Sequence, residues 1–298
     1  MTVPRYDYTS SLVFGGTRQD DSAYERARAV VLPVPLERTT SYVAGTRNGP
    51  REILLASGQM ELWDDETSTS AASLPTYTLP EMELPFGTLE GALDEIRRVA
   101  GEVLDGGKFL ITLGGEHSVT IPLVEAAAAR HPELSVLQLD AHADLRAAYM
   151  GNRFSHASVM RRVVERARCT QVAIRSLSED EARAVPSLAT TIFYDMRMRE
   201  DPAWMDRVIE SLGDPVYLTI DCDGFDPAIM PAVGTPEPGG LGWYEALTLL
   251  RRVFRERRVV ACDLVELCPL PGIVAPNFLC ARLIYKVLTY WRLAGEGR

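Results

Sequence analysis

The stretch Asp140-Ala141-His142-Ala143-Asp144 closes the run Ser135-Val136-Leu137-Gln138-Leu139, which has the length and composition of a buried strand. In an extended chain the side chains at i, i+2 and i+4 share one face, so Asp140, His142 and Asp144 point the same way as long as the chain stays extended. Two carboxylates and an imidazole converging at a buried strand end need a countercharge, because burying unpaired charge is very costly. A divalent metal is the simplest one. The competing reading is a polar strand end with one capping aspartate.

Two other strand ends carry similar residues. Val216-Tyr217-Leu218-Thr219-Ile220 leads into Asp221-Cys222-Asp223-Gly224-Phe225-Asp226-Pro227, where Asp221 and Asp223 share a face and Cys222 turns away. Taken alone, this stretch suits an Asp-rich turn before Gly and Pro equally well. Phe109-Leu110-Ile111-Thr112-Leu113 leads into Gly114-Gly115-Glu116-His117-Ser118, where a lone histidine also suits a helix start. In an open parallel sheet, ligands gather outside the carboxyl ends of the strands. Those ends offer His117; Asp140, His142 and Asp144; Asp221 and Asp223. Two histidines and four aspartates are too many for one metal and suit two. The set is oxygen-rich and lacks thiolate, which favours Mn over Zn.

Outward from these motifs the chain alternates strand and helix. Further strands are expected at 29–32, 171–174, 190–194 and 258–264. Helices are expected at 89–104, 119–130, 179–185, 202–211, 243–256 and 276–293, with shorter ones from Pro50 through Leu55 and after Ser155. Thr88 can cap the helix 89–104, whose buried stripe is Leu89, Leu93, Ile96, Ala100 and Val103. Ser178 and Glu181 have capping-box spacing. This alternation predicts an α/β fold, a mostly parallel sheet with helices on both faces. There is no internal repeat and no domain boundary, so residues 1–298 read as a single domain with a polar N-terminal surface segment, 1–27. Residues 64–88 form a long Ser/Thr/Pro-rich excursion suited to a lid or a subunit contact. The loop 145–154 is long for a strand–helix connection, and such loops often carry a site. The Pro- and Gly-rich loop 222–242 suits a stiff substrate wall. His131 lies just past a helix and reads as a helix-end residue.

Composition removes several classes of function. A chain of 298 residues with 46% hydrophobic content can build a sizeable core. The net charge of -10 argues against a nucleic-acid surface, which needs clustered Lys and Arg. No apolar run reaches the ~18 residues of a membrane span, and the N-terminus lacks a signal-peptide pattern. A cytoplasmic location is therefore expected. The five cysteines form no Cys-x-x-Cys pair and read as reduced, buried thiols.

Taken together, in this order and spacing, Gly-Gly-Glu-His-Ser, Asp-Ala-His-Ala-Asp and Asp-Cys-Asp-Gly-Phe-Asp-Pro resemble the three metal motifs of the ureohydrolases, the arginases, agmatinases and their relatives. The resemblance runs from about Val30 to the C-terminus. It implies an arginase-like three-layer α/β/α fold, two Mn2+ per subunit and a homo-oligomer, trimer or hexamer. It also implies roles. His117 and Asp144 would bind one metal, His142 and Asp223 the other, with Asp140 and Asp221 bridging. Glu266, just past the strand 258–264, would hold the guanidinium. His156 would be the mobile proton shuttle, although Ala157 stands where many relatives have Gly. Asp144 would also pass a proton to the leaving amine. Four aspartates, two divalent metals and a bridging hydroxide sum to about -1, which suits a small cationic substrate, and two metals ~3.5–4 Å apart lower the pKa of a water they share.

The same resemblance narrows the substrate. Arginases hold the substrate carboxylate with an Asn two residues after the last Asp of the central motif; here that residue is Arg146. The loop Tyr149-Met150-Gly151-Asn152-Arg153-Phe154-Ser155-His156 looks agmatinase-like, so agmatine, cleaved to putrescine and urea, is the expected substrate. Arg146 could instead meet a carboxylate, which keeps guanidinobutyrase and guanidinopropionase open and puts arginase in doubt. Two other readings are a catalytically silent, metal-stabilised binding or assembly subunit and a dinuclear phosphoesterase. The complete ligand set opposes the first, and Glu266 beside the nucleophile opposes the second.

Overall fold

The computed structural model describes residues 3–296 apart from 5, 7, 11, 17, 18, 72 and 73. The strands are β1 (Tyr8–Ser10), β2 (Ala29–Val34), β3 (Thr76–Thr78), β4 (Glu81–Met82), β5 (Phe109–Gly114), β6 (Ser135–Leu139), β7 (Arg168–Ile174), β8 (Thr190–Tyr194), β9 (Val216–Asp221) and β10 (Val259–Val265). The helices are α1 (Asp21–Arg26), α2 (Gly49–Ser57), α3 (Leu89–Asp105), α4 (Thr120–Ala128), α5 (Val159–Val163), α6 (Glu179–Ala184), α7 (Asp195–Arg199), α8 (Trp204–Ser211), α9 (Trp243–Glu256) and α10 (Ala275–Glu296). Eight strands form one sheet in the order β3-β2-β5-β10-β9-β6-β7-β8, every neighbouring pair parallel. β1 and β4 make a small antiparallel pair.

Alternation along the strands divides the apolar residues between two layers. Val31, Ile111, Leu137, Leu218 and Leu264 face one layer with Val208 of α8, Leu250 of α9 and Leu288 of α10. Val30, Leu110, Val136, Tyr217 and Val265 face the other with Ile96 of α3, Val124 of α4 and Val163 of α5. Because both faces are covered, β2, β5, β6 and β9 are buried along their whole length, as parallel sheets require. The expected stripe of α3 is buried as drawn from the sequence, with Thr88 accepting a hydrogen bond from Gly91 N. Each such apolar side chain contributes about 1.5–3 kcal/mol on burial, so this stripe, more than helix propensity, holds α3 on the sheet.

Some expectations need correction. The segment 1–27 is not only a surface wrap: Phe14 and Tyr24 are buried, and Tyr24 stacks edge-on against Tyr77. The helix expected at 202–211 begins at Trp204 and follows a separate short helix, α7. The excursion 64–88 is no lid, since none of its described residues lines the cavity described below. Its first part is fastened to α10 instead. Lys286 Nζ lies 2.9 Å from both Asp64 Oδ2 and Glu66 Oε2, Tyr290 donates to Glu66, and Tyr285 OH accepts from Ala71 N. Among the described residues, no helix is long and apolar enough to cross a membrane.

Candidate metal centre

The four adjacent central strands β5, β10, β9 and β6 end on the same side of the sheet, and the loops that leave them meet there. Two glycines permit the close approach. A Cβ on Gly115 would lie 2.1 Å from Leu36 O, and one on Gly224 would lie 2.8 Å from the Asp140 amide nitrogen. Real side chains cannot occupy such positions, so the loops after β5 and β9 can nest against their neighbours only through glycine.

All six expected ligands converge. His117 Nδ1 lies 3.1 Å from Asp140 Oδ2, 3.1 Å from Asp221 Oδ2 and 3.3 Å from Asp144 Oδ2, yet makes no hydrogen bond. His142 Nδ1 lies 2.9 Å from Asp223 Oδ2 and 3.7 Å from Asp140 Oδ1. Asp140 thus turns one oxygen toward each histidine. Donors that share an ion at ~2.1 Å stand roughly 3–3.4 Å apart, so the spacing around His117 is that of a ligand set. The route to this geometry differs from the period-two argument. Asp144 reaches in because its backbone is left-handed, φ 53°, and Asp223 because Cys222–Gly224 is a tight turn whose Asp223 N–H is held by Asp221 Oδ1 at 2.9 Å. Cys222 does turn away, its Sγ 3.5 Å from that of Cys280 in α10.

The proton on His117 can be placed by accounting. His117 Nε2 is 3.0 Å from Thr219 Oγ1. Thr219 gives its only hydroxyl hydrogen to Asp263 Oδ1 at 2.6 Å, so toward the ring it accepts. Nε2 therefore carries the hydrogen, and Nδ1 is a bare lone pair facing three carboxylate oxygens. That arrangement fits a cation at the point where they meet. With a proton in its place, burial works against the charge, but Asp140, Asp144 and Asp221 outweigh it and push the His117 pKa well above its usual value. Burial, then the charge of Asp223, raises Asp140 to about 7 and Asp221 well above the carboxylate range. Asp223 falls to about 2, because His142 beside it overcomes the effect of burial. So many carboxyl groups in one dry place ionise together only if cations offset them.

Behind the ligands lies a second set of polar residues. Asp263 of β10, fully buried, also accepts from Tyr217 OH at 2.6 Å and Thr120 Oγ1 at 3.0 Å. A chain across three strands, Thr190 to Gln171 to Gln138 to Asp140, donates hydrogen bonds toward the centre. Sequence reasoning missed these residues. The signal was present, since Gln138 and Thr219 stand two places before Asp140 and Asp221 on the same face of otherwise apolar strands.

Glu266 and His156 line the cavity above the ligands, which measures about 290 Å³. Glu266 has φ 64°, a conformation that costs on the order of 1–3 kcal/mol. Its amide donates to Gly115 O at 2.8 Å, and its Oε1 accepts from His117 N at 2.7 Å. Burial pushes its carboxyl well above the ordinary range. The His156 ring stands edge-to-face with Tyr149, centroids 5.7 Å apart. Tyr149 pairs with Asn152 across a tight turn at Met150 and Gly151, both with positive φ, which shortens the loop 145–154 into a hairpin against the cavity. Gly234 and Thr235 add a wall from the loop 222–242. Arg146 also lines the cavity: its guanidinium lies 5.3 Å over the Tyr149 ring, and its Nε lies 3.7 Å from buried Glu181.

Known proteins resemble this chain in sequence and fold. The sequence model of the arginase family matches residues 27–289. The N(1)-aminopropylagmatine ureohydrolase of Synechocystis sp. is 40% identical over 278 residues, covering 91% of each chain. The agmatinase of Bacillus anthracis is 33% identical over 253 residues, covering 83% of this chain and 86% of the relative. The crystal structure of the agmatine ureohydrolase of Thermoplasma volcanium superposes with a TM-score of 0.85 at 30% identity, covering 92% of this chain and 93% of the other.

Proposed function

The chain belongs to the arginase family and is a hydrolase of guanidino compounds, and from that premise we propose that it is a dinuclear manganese ureohydrolase acting on agmatine-type amidines. The observation that carries this reading is the bare His117 nitrogen among three carboxylates, directly beneath a cavity walled by Glu266. In this proposal His117 and Asp144 would hold one Mn2+, His142 and Asp223 would hold the other, and Asp140 and Asp221 would be shared between the two. Bound there, the cations supply Lewis-acid activation of water at neutral pH.

The protein's own groups do the rest. Glu266, buried and held by His117 N–H, accepts hydrogen bonds from the substrate guanidinium, whose charge offsets the desolvation of the carboxylate. It thereby fixes the planar carbon over the ligand cluster. Once a water oxygen has bonded to the guanidinium carbon, His156 and Asp144 hand a proton to the nitrogen that leaves, so the C–N bond breaks to release urea and a neutral amine.

Two observations bear on the substrate. Arg146 lines the cavity with its guanidinium over the Tyr149 ring and only its Nε near Glu181, at 3.7 Å, so a cation stands where a substrate carboxylate could meet it, which keeps guanidino acids in the substrate screen. The relatives at 38–40% identity are named N(1)-aminopropylagmatine ureohydrolases, and agmatinases follow at 32–33%. This favours the aminopropyl-extended substrate, cleaved to spermidine and urea; agmatine, cleaved to putrescine and urea, is the second reading. Urea release with added Mn2+ over N(1)-aminopropylagmatine, agmatine, arginine, guanidinobutyrate and guanidinopropionate tests both. The higher kcat/KM for N(1)-aminopropylagmatine supports the first, the higher value for agmatine the second, and no urea from any of them rejects the hydrolase reading. A homo-oligomer, trimer or hexamer, in the cytoplasm belongs to the same proposal and is checked by sedimentation and cell fractionation.

A further inference from the structure

Resting on the reading of His156 as the proton carrier, we infer that Thr39, backed by Glu116, is the positioning residue that fixes which His156 nitrogen carries the moving proton. Glu116 is wholly buried, and its carboxylate collects four donors: Arg38 N at 2.5 Å, Thr39 N at 2.6 Å, Thr39 Oγ1 at 2.8 Å and Ser118 Oγ at 2.5 Å. A carboxylate can only accept here, so the single hydroxyl hydrogen of Thr39 is committed to Glu116. The two lone pairs of Thr39 Oγ1 then face His156. One takes the His156 backbone N–H at 2.9 Å, and the other lies 3.1 Å from His156 Nδ1. An oxygen with no hydrogen left to give can bond Nδ1 only by accepting from it. The ring therefore keeps its hydrogen on Nδ1, and Nε2 is the bare nitrogen. Its nearest protein partner is the exposed Ser41 hydroxyl at 3.4 Å, the long end of a hydrogen bond, so Nε2 is free to exchange protons.

The consequence for the reaction is definite. His156 takes a proton at Nε2 from solvent and gives it, from the same atom, to the amine nitrogen as the C–N bond breaks; Nδ1 keeps its hydrogen throughout. Thr39 touches no reacting atom and acts only through the ring. The pairing also joins the loop after β2 to the helix start at His156, two places 117 residues apart in the chain.

Two measurements decide the matter. Neutron diffraction from a deuterium-exchanged crystal of the full chain, at alkaline pH, reads the ring without any turnover: nuclear density for deuterium on Nδ1 is expected, and deuterium on Nε2 alone overturns the inference. Kinetics read the consequence. Proton transfer by a placed side chain contributes about 10²–10⁴-fold, so Thr39→Val, which keeps the shape and the Glu116 contact of the backbone, should lower kcat by about 10–100-fold with KM and bound manganese unchanged. Thr39→Ser restores the hydroxyl and should recover kcat to within about threefold. A kcat for Thr39→Val within threefold of the parent overturns the inference, as does a loss matched by Thr39→Ser. Absence of urea from the parent chain would instead reject the ureohydrolase reading, and the neutron map would still decide the tautomer.

Discussion

Replacing Asp263 by asparagine probes the proton accounting beneath the metal centre. Asp263 is fully buried and accepts three hydroxyl hydrogens, from Thr219 on one oxygen and from Tyr217 and Thr120 on the other. Asparagine can accept at one end only. If its NH2 group faced Tyr217 and Thr120, two buried hydroxyls would lose a charged acceptor, each bond worth about 1.5–3 kcal/mol. If it faces Thr219, only one bond reverses: the amide donates to Thr219, which turns its own hydrogen toward His117 Nε2. The second arrangement costs less, so it should prevail. It moves the imidazole hydrogen to Nδ1, among the ligand oxygens, and a cation must then undo that tautomer to bind. Loss of such support to a ligating histidine typically costs 10–100-fold in affinity, about 1.4–2.7 kcal/mol. Titrating the metal-free variant with Mn2+ and following free ion by electron paramagnetic resonance should show one site weakened by that factor and the His142 site within about threefold of the parent. Unchanged affinity at both sites in a folded variant would refute the reasoning, and equal weakening at both would show that Asp263 acts through the fold instead.

Three further outcomes follow from the same geometry. Asp221→Ala should abolish urea release and lower the manganese content measured by mass spectrometry; normal content and rate would remove Asp221 from the ligand set. Glu266→Gln should keep its manganese but lose about 10–100-fold in kcat/KM, the worth of a charge-assisted bond to the substrate of ~1.5–3 kcal/mol. Lys286→Met should lower stability in urea denaturation by about 3 kcal/mol, because buried Asp64 would lose its cation and Glu66 would keep only the exposed Arg251. That loss has a pH signature. Burial pushes both carboxyls up, but Lys286 together with Thr67 at Asp64, and with Tyr290 and Arg251 at Glu66, outweighs it, so both lie below their usual values. Their stabilisation is complete above the unfolded pKa of about 4 and lost as pH falls through the lowered values. Lys286 is raised, burial again being outweighed, now by hydrogen bonds to Glu66 and Asp64, so its contribution is complete below about 10.4 and lost as pH rises through its folded value. The gap between parent and variant should be flat from about pH 5 to 10 and close in acid; a gap that widens in acid would contradict the assignment.

What the sequence could reveal depended on periodicity. The strands and the α3 stripe obey rules of two and 3.6, so β5, β6, β9 and the buried positions from Leu89 to Val103 were legible. The candidate ligands stood out because carboxylates and imidazoles at the ends of apolar runs require an explanation. The backbone route by which they converge was not legible, since Asp144 arrives through a left-handed residue and Asp223 through a tight turn, and neither conformation is written in an alternating pattern. Thr39 was invisible for another reason: its partners, Glu116 and His156, are 77 and 117 residues away. Asp263 was hidden inside what reads as an ordinary buried strand. Phe14 and Tyr24 were lost in a polar segment because a few apolar anchors do not shift its average composition.

The contact between Cys222 and Cys280 ties the far end of the chain to the chemistry. α10 is the floor on which the Asp221–Asp223 turn rests, and through Lys286, Tyr285 and Tyr290 it also grips the segment around Asp64. A truncation that stops short of Cys280 would leave every ligand in the polypeptide and still unseat the turn that presents two of them. Deletions that reach into α10 should therefore be scored by metal retention as well as by melting temperature, since this helix backs the candidate metal centre from beneath.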